Sequence, residues 1–237
     1  PENGYHVMPD YLLMRNRIDH ECVEKKFPLD SNIKPHAVYV GNLFVKRVSH
    51  LYKNIELDET IIQYLDKLKS YERVVLFSLQ HKAEIPDAFW DVFKQSASRP
   101  WIWLLRKHPA LSLGNLDAML EARDLSDTDK IEWQHASALP LHLILRYVTH
   151  HITLWSSVSM EAFEYNVPTG LLDARGKDAF PHMLEWGHYN YCADANQLRN
   201  FIESDPSDYF SKDKGRLPDN EEDIQAIIDK LCIGAKK

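Results

Sequence analysis

The chain has 237 residues, 44% hydrophobic and 27% charged, which suits a single large globular domain or one domain with part of another. Its net charge of −7 excludes a global basic surface, so we expect no nucleic-acid partner. Cys22, Cys192 and Cys232 form no CxxC pair, which argues against a zinc site and predicts a reducing, cytoplasmic location. No apolar run reaches about 18 residues, so no membrane-spanning helix is predicted.

Strand-like and helix-like segments alternate along most of the chain. Short apolar, β-rich runs predict strands at 37–40, 73–79, 101–105, 130–133, 151–155, 169–172 and 189–192. Helical spacing predicts helices at 58–69, 86–93, 116–122, 139–147, 157–165, 178–186, 195–202 and 220–231. This alternation is typical of βαβ units. We therefore predict an α/β fold with a Rossmann-like parallel sheet and helices on both faces.

The first part of the chain differs from the rest. Residues 1–55 show less clear alternation and hold one predicted strand, which leads to the tripeptide VGN. The sequence predicts a partial N-terminal domain or linking segment at 1–55 and one Rossmann-like domain at 56–237.

Two serines follow the strand predicted at 151–155. Ser156 and Ser157 stand where this strand ends and a helix begins, and Asn166 and Pro168 follow that helix. In an open parallel sheet, ligands bind beyond the carboxyl ends of the strands, where unpaired N–H groups at helix starts attract phosphate. The serines therefore indicate a phosphate site, although a helix cap alone explains them equally well.

A basic segment follows another predicted strand, in the stretch WIWLLRKHPAL. Arg106, Lys107 and His108 come directly after the apolar run, at the same predicted edge of the sheet as the serine pair. Three potential cations there would offset a diphosphate-like charge. Taken alone, the segment is more typical of a basic surface turn, and its position at the same sheet edge as the serines favours the phosphate site.

These two segments together resemble the C-terminal, donor-binding half of GT-B-fold glycosyltransferases. The fold's Ser-x-x-x-Glu-Ala element is matched by Ser157, Glu161 and Ala162, and its proline by Pro168. The His-Pro element with a double serine resembles bacterial sialyltransferases and Kdo transferases, whose donors are CMP-linked; CDP-polyol phosphotransferases of wall-polymer synthesis carry similar elements. The stretch AVYVGNLFV resembles a strand that precedes the donor domain. The resemblance covers about residues 36–203 and has Asn166 where glycine is usual.

The resemblance implies a donor-binding site with assigned roles. His108 would contact the donor phosphate, Ser156 and Ser157 would bind phosphate, and Glu161 would accept hydrogen bonds from the ribose, unless Glu161 is only a solvated helix residue. Other residues expected at this site are Arg106, Lys107 and Pro109 in the basic segment, Glu132 in the turn facing the base, and Gln80 and Lys82 after the strand at 73–79.

By resemblance, the function is that of a glycosyltransferase that uses a nucleotide-activated sugar, expected to be CMP-linked sialic acid or Kdo, in capsule or lipopolysaccharide synthesis. The implied partners are the nucleotide sugar, a glycan or glycolipid acceptor, the inner-membrane surface and the remainder of a larger enzyme, of which the chain would be the donor-binding part. The alternatives are a non-catalytic nucleotide- or sugar-binding module and a nucleotide-sugar epimerase.

Catalytic and metal residues are less clearly indicated. An inverting enzyme of this fold draws its base from the N-terminal domain; Asp10, Asp19 and Glu21 are the acidic residues available early in the chain, and none is assigned. The DTD stretch at 127–129 is a short match to a metal-binding DxD, but the resemblance implies no cofactor and no metal. His150 and His151 alternate faces in a strand and are expected to be structural.

Overall fold

The computed structural model describes residues 11–15, 19–21, 23, 36–53, 55–81, 84–110, 113–125 and 128–210. These residues divide into two compact units, with the boundary between Arg47 and Val48. Within the described ranges, no helix combines the length and the apolar character that crossing a membrane requires. The predicted helix at 220–231 lies outside the described residues.

The first unit contains a two-stranded parallel sheet, formed by β1 (Tyr11–Met14) and β2 (His36–Tyr39). Gly41 follows β2 with φ of 69°, a left-handed conformation that glycine adopts without steric cost. Helix α1 (Leu43–Lys53) comes next and contains the boundary between the units. Neither β1 nor α1 was predicted from the sequence.

The second unit is built on a six-stranded, all-parallel sheet. Its strands are β3 (Arg73–Ser78), β4 (Trp101–Arg106), β5 (Ile131–Glu132), β6 (His150–Thr153), β7 (Thr169–Leu171) and β8 (Tyr189–Tyr191). Their spatial order is β5-β4-β3-β6-β7-β8. From β3 the chain adds β4 and β5 on one side of the sheet. It then crosses back and adds β6, β7 and β8 on the other side. The topological switch point therefore lies between β3 and β6.

Helices cover both faces of this sheet, as predicted. They are α2 (Glu59–Leu68), α3 (Asp87–Gln95), α4 (Leu113–Glu121), α5 (Gln134–Ala138), α6 (Leu141–Ile144), α7 (Val158–Glu164), α8 (Ala174–Ala179), α9 (Pro181–Glu185) and α10 (Ala195–Glu203), followed by a 3₁₀ turn at Pro206–Tyr209.

Two hydrophobic cores lie on opposite faces of the sheet. Val75 and Phe77 of β3 belong to one core, together with apolar residues of α3, α4 and α10. Val74 and Leu76 belong to the other, together with residues of α2, α5, α6 and α7. Because neighbouring residues of a strand point to opposite faces, a strand covered on both sides must be apolar throughout. This requirement explains the continuous apolar run at 74–77.

Two predicted helices have different bounds in the structure, in each case because of a proline. The segment predicted as a helix at 139–147 contains α6 alone, because Leu139 before Pro140 is extended (φ −74°, ψ 152°). The segment predicted at 178–186 is split between α8 and α9 at Phe180, the residue before Pro181. Proline disfavours the helical conformation of the residue that precedes it.

Candidate functional site

A cleft of about 390 Å³ opens at the carboxyl ends of β3, β4 and β6, at the switch point of the sheet. We call it the strand-end cleft. It is lined by Ser78, Leu79, Arg106, Lys107, His108, Pro109, Ser137, Leu141, Ser156 and Val158. Ligands of open α/β sheets bind at this position in general. The structure thus brings together five of the residues predicted from the sequence: Arg106, Lys107, His108, Pro109 and Ser156.

The register of the strands explains this convergence. Ser78 at the end of β3 is paired with Arg106 at the end of β4 and with Thr153 at the end of β6. Three parallel strands therefore end at one level. Thr153 also joins two of these ends, because its Oγ1 donates to the Ser78 carbonyl (3.0 Å) and accepts from the Ser156 N–H (3.2 Å).

The two serines after β6 have different environments. Ser156 borders the cleft, and its Oγ accepts a hydrogen bond from the Val158 N–H at 3.3 Å, so it caps the start of α7. Ser157 is exposed, has helical backbone angles and makes no side-chain capping bond. The cap and the cleft position thus belong to the same residue, Ser156, and Ser157 is not among the residues that line the cleft.

Arg106 forms part of the cleft wall and also supports it. Its Nη1 donates to the carbonyl oxygens of Ala136 (2.6 Å) and Leu139 (2.9 Å), which cross-links β4 to the chain around α5. Burial lowers the pKa of this guanidinium from its ordinary value, and the nearby Glu161 carboxylate partly opposes that shift. Since arginine remains protonated at neutral pH in any case, the residue carries a positive charge into the cleft wall.

His108 presents its Nε2 as a hydrogen-bond donor. Its Nδ1 lies 3.1 Å from the Ala110 backbone N–H and accepts from it. A neutral imidazole that accepts at Nδ1 carries its proton on Nε2. The exposed ring of His81 lies close by, with 5.7 Å between the two ring centroids. Lys107 is fixed by its backbone N–H, which donates to Ser137 Oγ at 3.1 Å.

Glu161 lies on α7, outside the cleft lining, and 32% of its side chain is exposed. Its Oε2 is 3.4 Å from Nε2 of His142 on α6. Burial raises the pKa of Glu161, and the Arg106 charge opposes this rise. Burial and the positive charges of Arg106 and Arg146 lower the pKa of His142. The lowered pKa of His142 favours a neutral ring, which can donate from Nε2 to the Glu161 carboxyl group.

The remaining residues predicted for the site are not among those that line the strand-end cleft. Glu132 caps α5, because its carboxylate accepts from the N–H groups of His135 (2.6 Å) and Ala136 (3.0 Å) and from the Tyr64 hydroxyl (2.8 Å). Gln80 follows the cleft residue Leu79, and its buried Nε2 has no hydrogen-bond partner among the described residues. Lys82 lies outside the described residues.

The acidic residues considered for catalysis or metal binding form no metal-binding group in the described part of the chain. Asp10 and Asp127 lie outside the described residues, and Asp19 forms an ion pair with Arg15 at 2.7 Å. Across the described ranges, no group of three or more His, Cys, Asp or Glu side chains is arranged to hold a metal ion. That the protein needs no metal ion remains a prediction from the sequence.

His150 and His151 are fully buried in β6 and contact different partners. His150 Nδ1 lies 3.1 Å from Thr149 Oγ1, and its ring packs edge-on against Phe201. His151 lies between the hydroxyls of Ser78 and Thr169, each at 3.0 Å. The two rings therefore have separate surroundings, as expected for neighbouring residues of a strand.

Two lining serines were missed by the sequence analysis. Ser78 and Ser137 reach the cleft through the ends of β3 and α5. Ser78 has a local signal, because it is the polar residue that interrupts the apolar run at 74–79 one position before its end. Ser137 has none, since only the packing of a five-residue helix brings it there.

Comparison with solved structures identifies proteins of the same architecture. The UDP-GlcNAc 2-epimerase of Methanocaldococcus jannaschii, in complex with UDP-GlcNAc and UDP, matches with a TM-score of 0.58 and 17% identity over 94% of this chain and 61% of its own. The MnaA–UDP co-structure from S. aureus matches with a TM-score of 0.55 and 13% identity over 81% of this chain and 49% of its own. The wall teichoic acid polymerase TagF matches with a TM-score of 0.54 and 17% identity over 96% of this chain and 58% of its own.

Sequence-level comparison adds nothing to this result. No protein-family model matches the chain, and no curated protein matches it. The chain spans about half to three fifths of the length of the solved structures described above. At these identities the likeness shows the fold alone. The second unit has the Rossmann-like parallel sheet of GT-B-type proteins, with helices on both faces.

Proposed function

We propose that the strand-end cleft binds the phosphates of a nucleotide-activated sugar, as the donor site of a glycosyltransferase. The observation that carries the proposal is the composition of the cleft at the switch point. Arg106, Lys107 and His108 line it together with three serine hydroxyls, and its described lining contains no aspartate or glutamate. Cations and neutral donors without a competing carboxylate are the groups that hold a diphosphate.

The chain's overall acidity makes this local arrangement informative. With a net charge of −7, the average surface repels a nucleotide, so a group of three adjacent basic residues at a ligand-binding position is not explained by composition. His108 would donate through Nε2, and Ser156 would donate through its hydroxyl. Glu161, held near His142 and Arg106, would accept from the ribose beyond the cleft.

We also propose that the nucleotide bound in this cleft is a pyrimidine nucleotide. Solved structures of this fold include complexes with UDP and a TagF crystal soaked with CDPG, which supports a pyrimidine nucleotide. The His-Pro and double-serine resemblance favours a cytidine nucleotide, CMP or CDP, with sialic acid or Kdo as the sugar. A cytoplasmic enzyme that acts on a glycan or glycolipid acceptor completes this proposal.

A second candidate is a nucleotide-sugar 2-epimerase, and the observation that favours it is the fold likeness to the M. jannaschii epimerase. An epimerase converts the nucleotide sugar without a second substrate, whereas a transferase needs an acceptor. Incubating the protein with UDP-GlcNAc alone and resolving the product sugars by chromatography separates the two. Accumulation of the 2-epimer without added acceptor would replace the transferase proposal.

Calorimetric titration with CMP, CDP, UDP and GDP tests the binding proposal. We expect His108→Ala and Ser156→Ala each to weaken binding about tenfold or more, because hydrogen bonds to charged groups contribute about 1.5–3 kcal/mol. Ser157→Ala is the matched comparison, and it should retain affinity because its side chain is not part of the lining. Affinity should be equal in EDTA and in magnesium. Unchanged affinity in His108→Ala and Ser156→Ala would remove the cleft as the phosphate site.

A further inference from the structure

A buried chain of polar side chains leads from the strand-end cleft into the sheet. Ser78 Oγ lies 3.0 Å from Nε2 of His151, and Nδ1 of the same ring lies 3.0 Å from Thr169 Oγ1. Ser78 is 3% exposed, and His151 and Thr169 are fully buried. A histidine in the middle of a parallel sheet is costly unless both ring nitrogens are paired, and here both are.

The ring has a single proton to share between these two hydroxyls. Burial lowers the pKa of His151 to about 3, so the imidazole is neutral at pH 7. A neutral imidazole has one N–H donor and one acceptor nitrogen. It must therefore donate to one of Ser78 and Thr169 and accept from the other.

The two arrangements differ in what Ser78 presents to the cleft. With the proton on Nδ1, the Ser78 hydroxyl donates to Nε2, and only oxygen lone pairs are left for a ligand. With the proton on Nε2, His151 donates to Ser78 Oγ, and the Ser78 O–H is free to donate into the cleft. An ionised phosphate oxygen only accepts hydrogen bonds, so a bound phosphate is paired in the second arrangement alone.

We propose that Ser78 is a further phosphate-binding residue of the strand-end cleft and that His151 is the positioning residue that directs its hydroxyl toward the ligand. The inference rests on the proposed function, since it concerns the phosphates assigned to the same cleft. Ser78 is suited to this role because its backbone is fixed too: its carbonyl accepts from Thr153 Oγ1 at 3.0 Å.

The first test is a mutant cycle read by nucleotide affinity. UDP and CDP are titrated into wild type, Ser78→Ala, His151→Leu and the double variant, with uridine and cytidine as ligands that lack phosphate. Ser78→Ala should weaken binding of UDP and CDP about tenfold and leave nucleoside binding unchanged. His151→Leu should weaken binding of UDP and CDP by a smaller factor. Because His151 acts through the Ser78 hydroxyl, His151→Leu should have no further effect once Ser78 is alanine.

Ser96→Ala is the matched control. Ser96 is another buried serine with a paired hydroxyl: it donates to the Phe93 carbonyl at 2.8 Å and accepts from Trp103 Nε1 at 3.1 Å. It does not line the strand-end cleft. Its substitution should lower the melting temperature without changing affinity for UDP or CDP. Equal affinities for Ser78→Ala and wild type would overturn the inference.

A second readout uses the wild-type protein and is independent of variant folding. Long-range ¹H–¹⁵N correlation spectra distinguish the two neutral tautomers of histidine. With UDP or CDP bound, His151 should carry its proton on Nε2; a proton on Nδ1 in the complex would overturn the inference. Failure of the inference alone would leave the His108→Ala effect on affinity intact, whereas absence of UDP and CDP binding in wild type would overturn the proposed function and the inference together.

Discussion

We expect the hydroxyl of Thr153 to hold the geometry of the strand-end cleft. It links the Ser78 carbonyl to the Ser156 N–H, which belong to the two strand ends that flank the switch point. Valine has nearly the same shape and no hydroxyl, so Thr153→Val removes both bonds without creating a cavity. We expect the free energy of unfolding to fall by about 1–3 kcal/mol, since two buried backbone groups lose their partner, and affinity for UDP and CDP to fall as well.

Thr149→Val provides the control for this prediction. Thr149 lies just before the same strand at its other end, where its Oγ1 pairs with the N–H and the carbonyl of Val74. This variant should lose stability in urea unfolding and retain affinity. A Thr153→Val protein that binds like wild type would show that the Thr153 bridge does not position the cleft.

The two buried histidines should make stability depend on pH. Burial lowers the pKa of both His150 and His151 to about 3 in the folded protein, whereas an unfolded histidine has a pKa of about 6.5. Above pH 6.5 neither state binds these protons, so the stabilisation is fully present. Between about pH 6.5 and 3 only the unfolded chain binds them, and the free energy of unfolding falls as pH falls, by about 1.4 kcal/mol per unit per histidine.

Urea unfolding at pH 7, 6 and 5 measures this slope, and His150→Gln should reduce it by the share of one histidine. In the folded wild type, the imidazole carbon chemical shifts of both residues should stay constant down to pH 4. Titration of either ring near pH 6 in the folded state would contradict the assignment of both as buried neutral side chains.

Among the elements, α5 shows how a predicted binding residue can have a structural role. The Glu132 carboxylate accepts from two backbone N–H groups at the start of this helix and from Tyr64. We expect Glu132→Ala to lower the free energy of unfolding by about 1–2 kcal/mol, as loss of a helix cap does, and to leave nucleotide affinity within a factor of two.

Tyr64→Phe is the companion variant, because it removes one hydrogen bond to Glu132 and keeps the cap. Melting temperature and UDP or CDP affinity are measured on both variants. A loss of affinity at unchanged stability in Glu132→Ala would return this carboxylate to the base-binding role that the resemblance implies.

The elements that the sequence predicted well are the ones whose pattern is set by burial. The strands at 73–78 and 101–106 contain continuous apolar runs, at 74–77 and 101–105, because both faces of the sheet are covered. Asn166, two residues beyond the end of α7, has the left-handed conformation that asparagine tolerates, with φ of 57°. In contrast, α1 was missed although its apolar residues recur with helical spacing; on this helix Val45 is buried, whereas Phe44 (62% exposed) and Leu51 (56%) are not.

The site was predictable where its residues follow directly after strands. The segment Arg106–Pro109 and Ser156 qualify, because parallel strands end at one edge of the sheet. The different exposure of Ser156 and Ser157 was not predictable, since adjacent hydroxyls at a helix start look alike until the backbone is known. The bond between Ser78 and His151 joins residues 73 positions apart, and only the pairing of β3 with β6 brings them together.

For the whole molecule, the strand order and the charge distribution point to one place. An acidic chain concentrates three basic side chains and three serines at the switch point of a sheet that is covered on both faces by hydrophobic cores. The rigid sheet fixes where these groups stand, and the loops after its strands supply them.

A crystal structure of the protein with UDP or CDP bound tests the central claim most directly. We predict phosphate oxygens within hydrogen-bonding distance of His108 Nε2, Ser156 Oγ and Ser78 Oγ, at the ends of β3, β4 and β6. Nucleotide density at any other position on the protein, with the strand-end cleft occupied by solvent, would contradict the account.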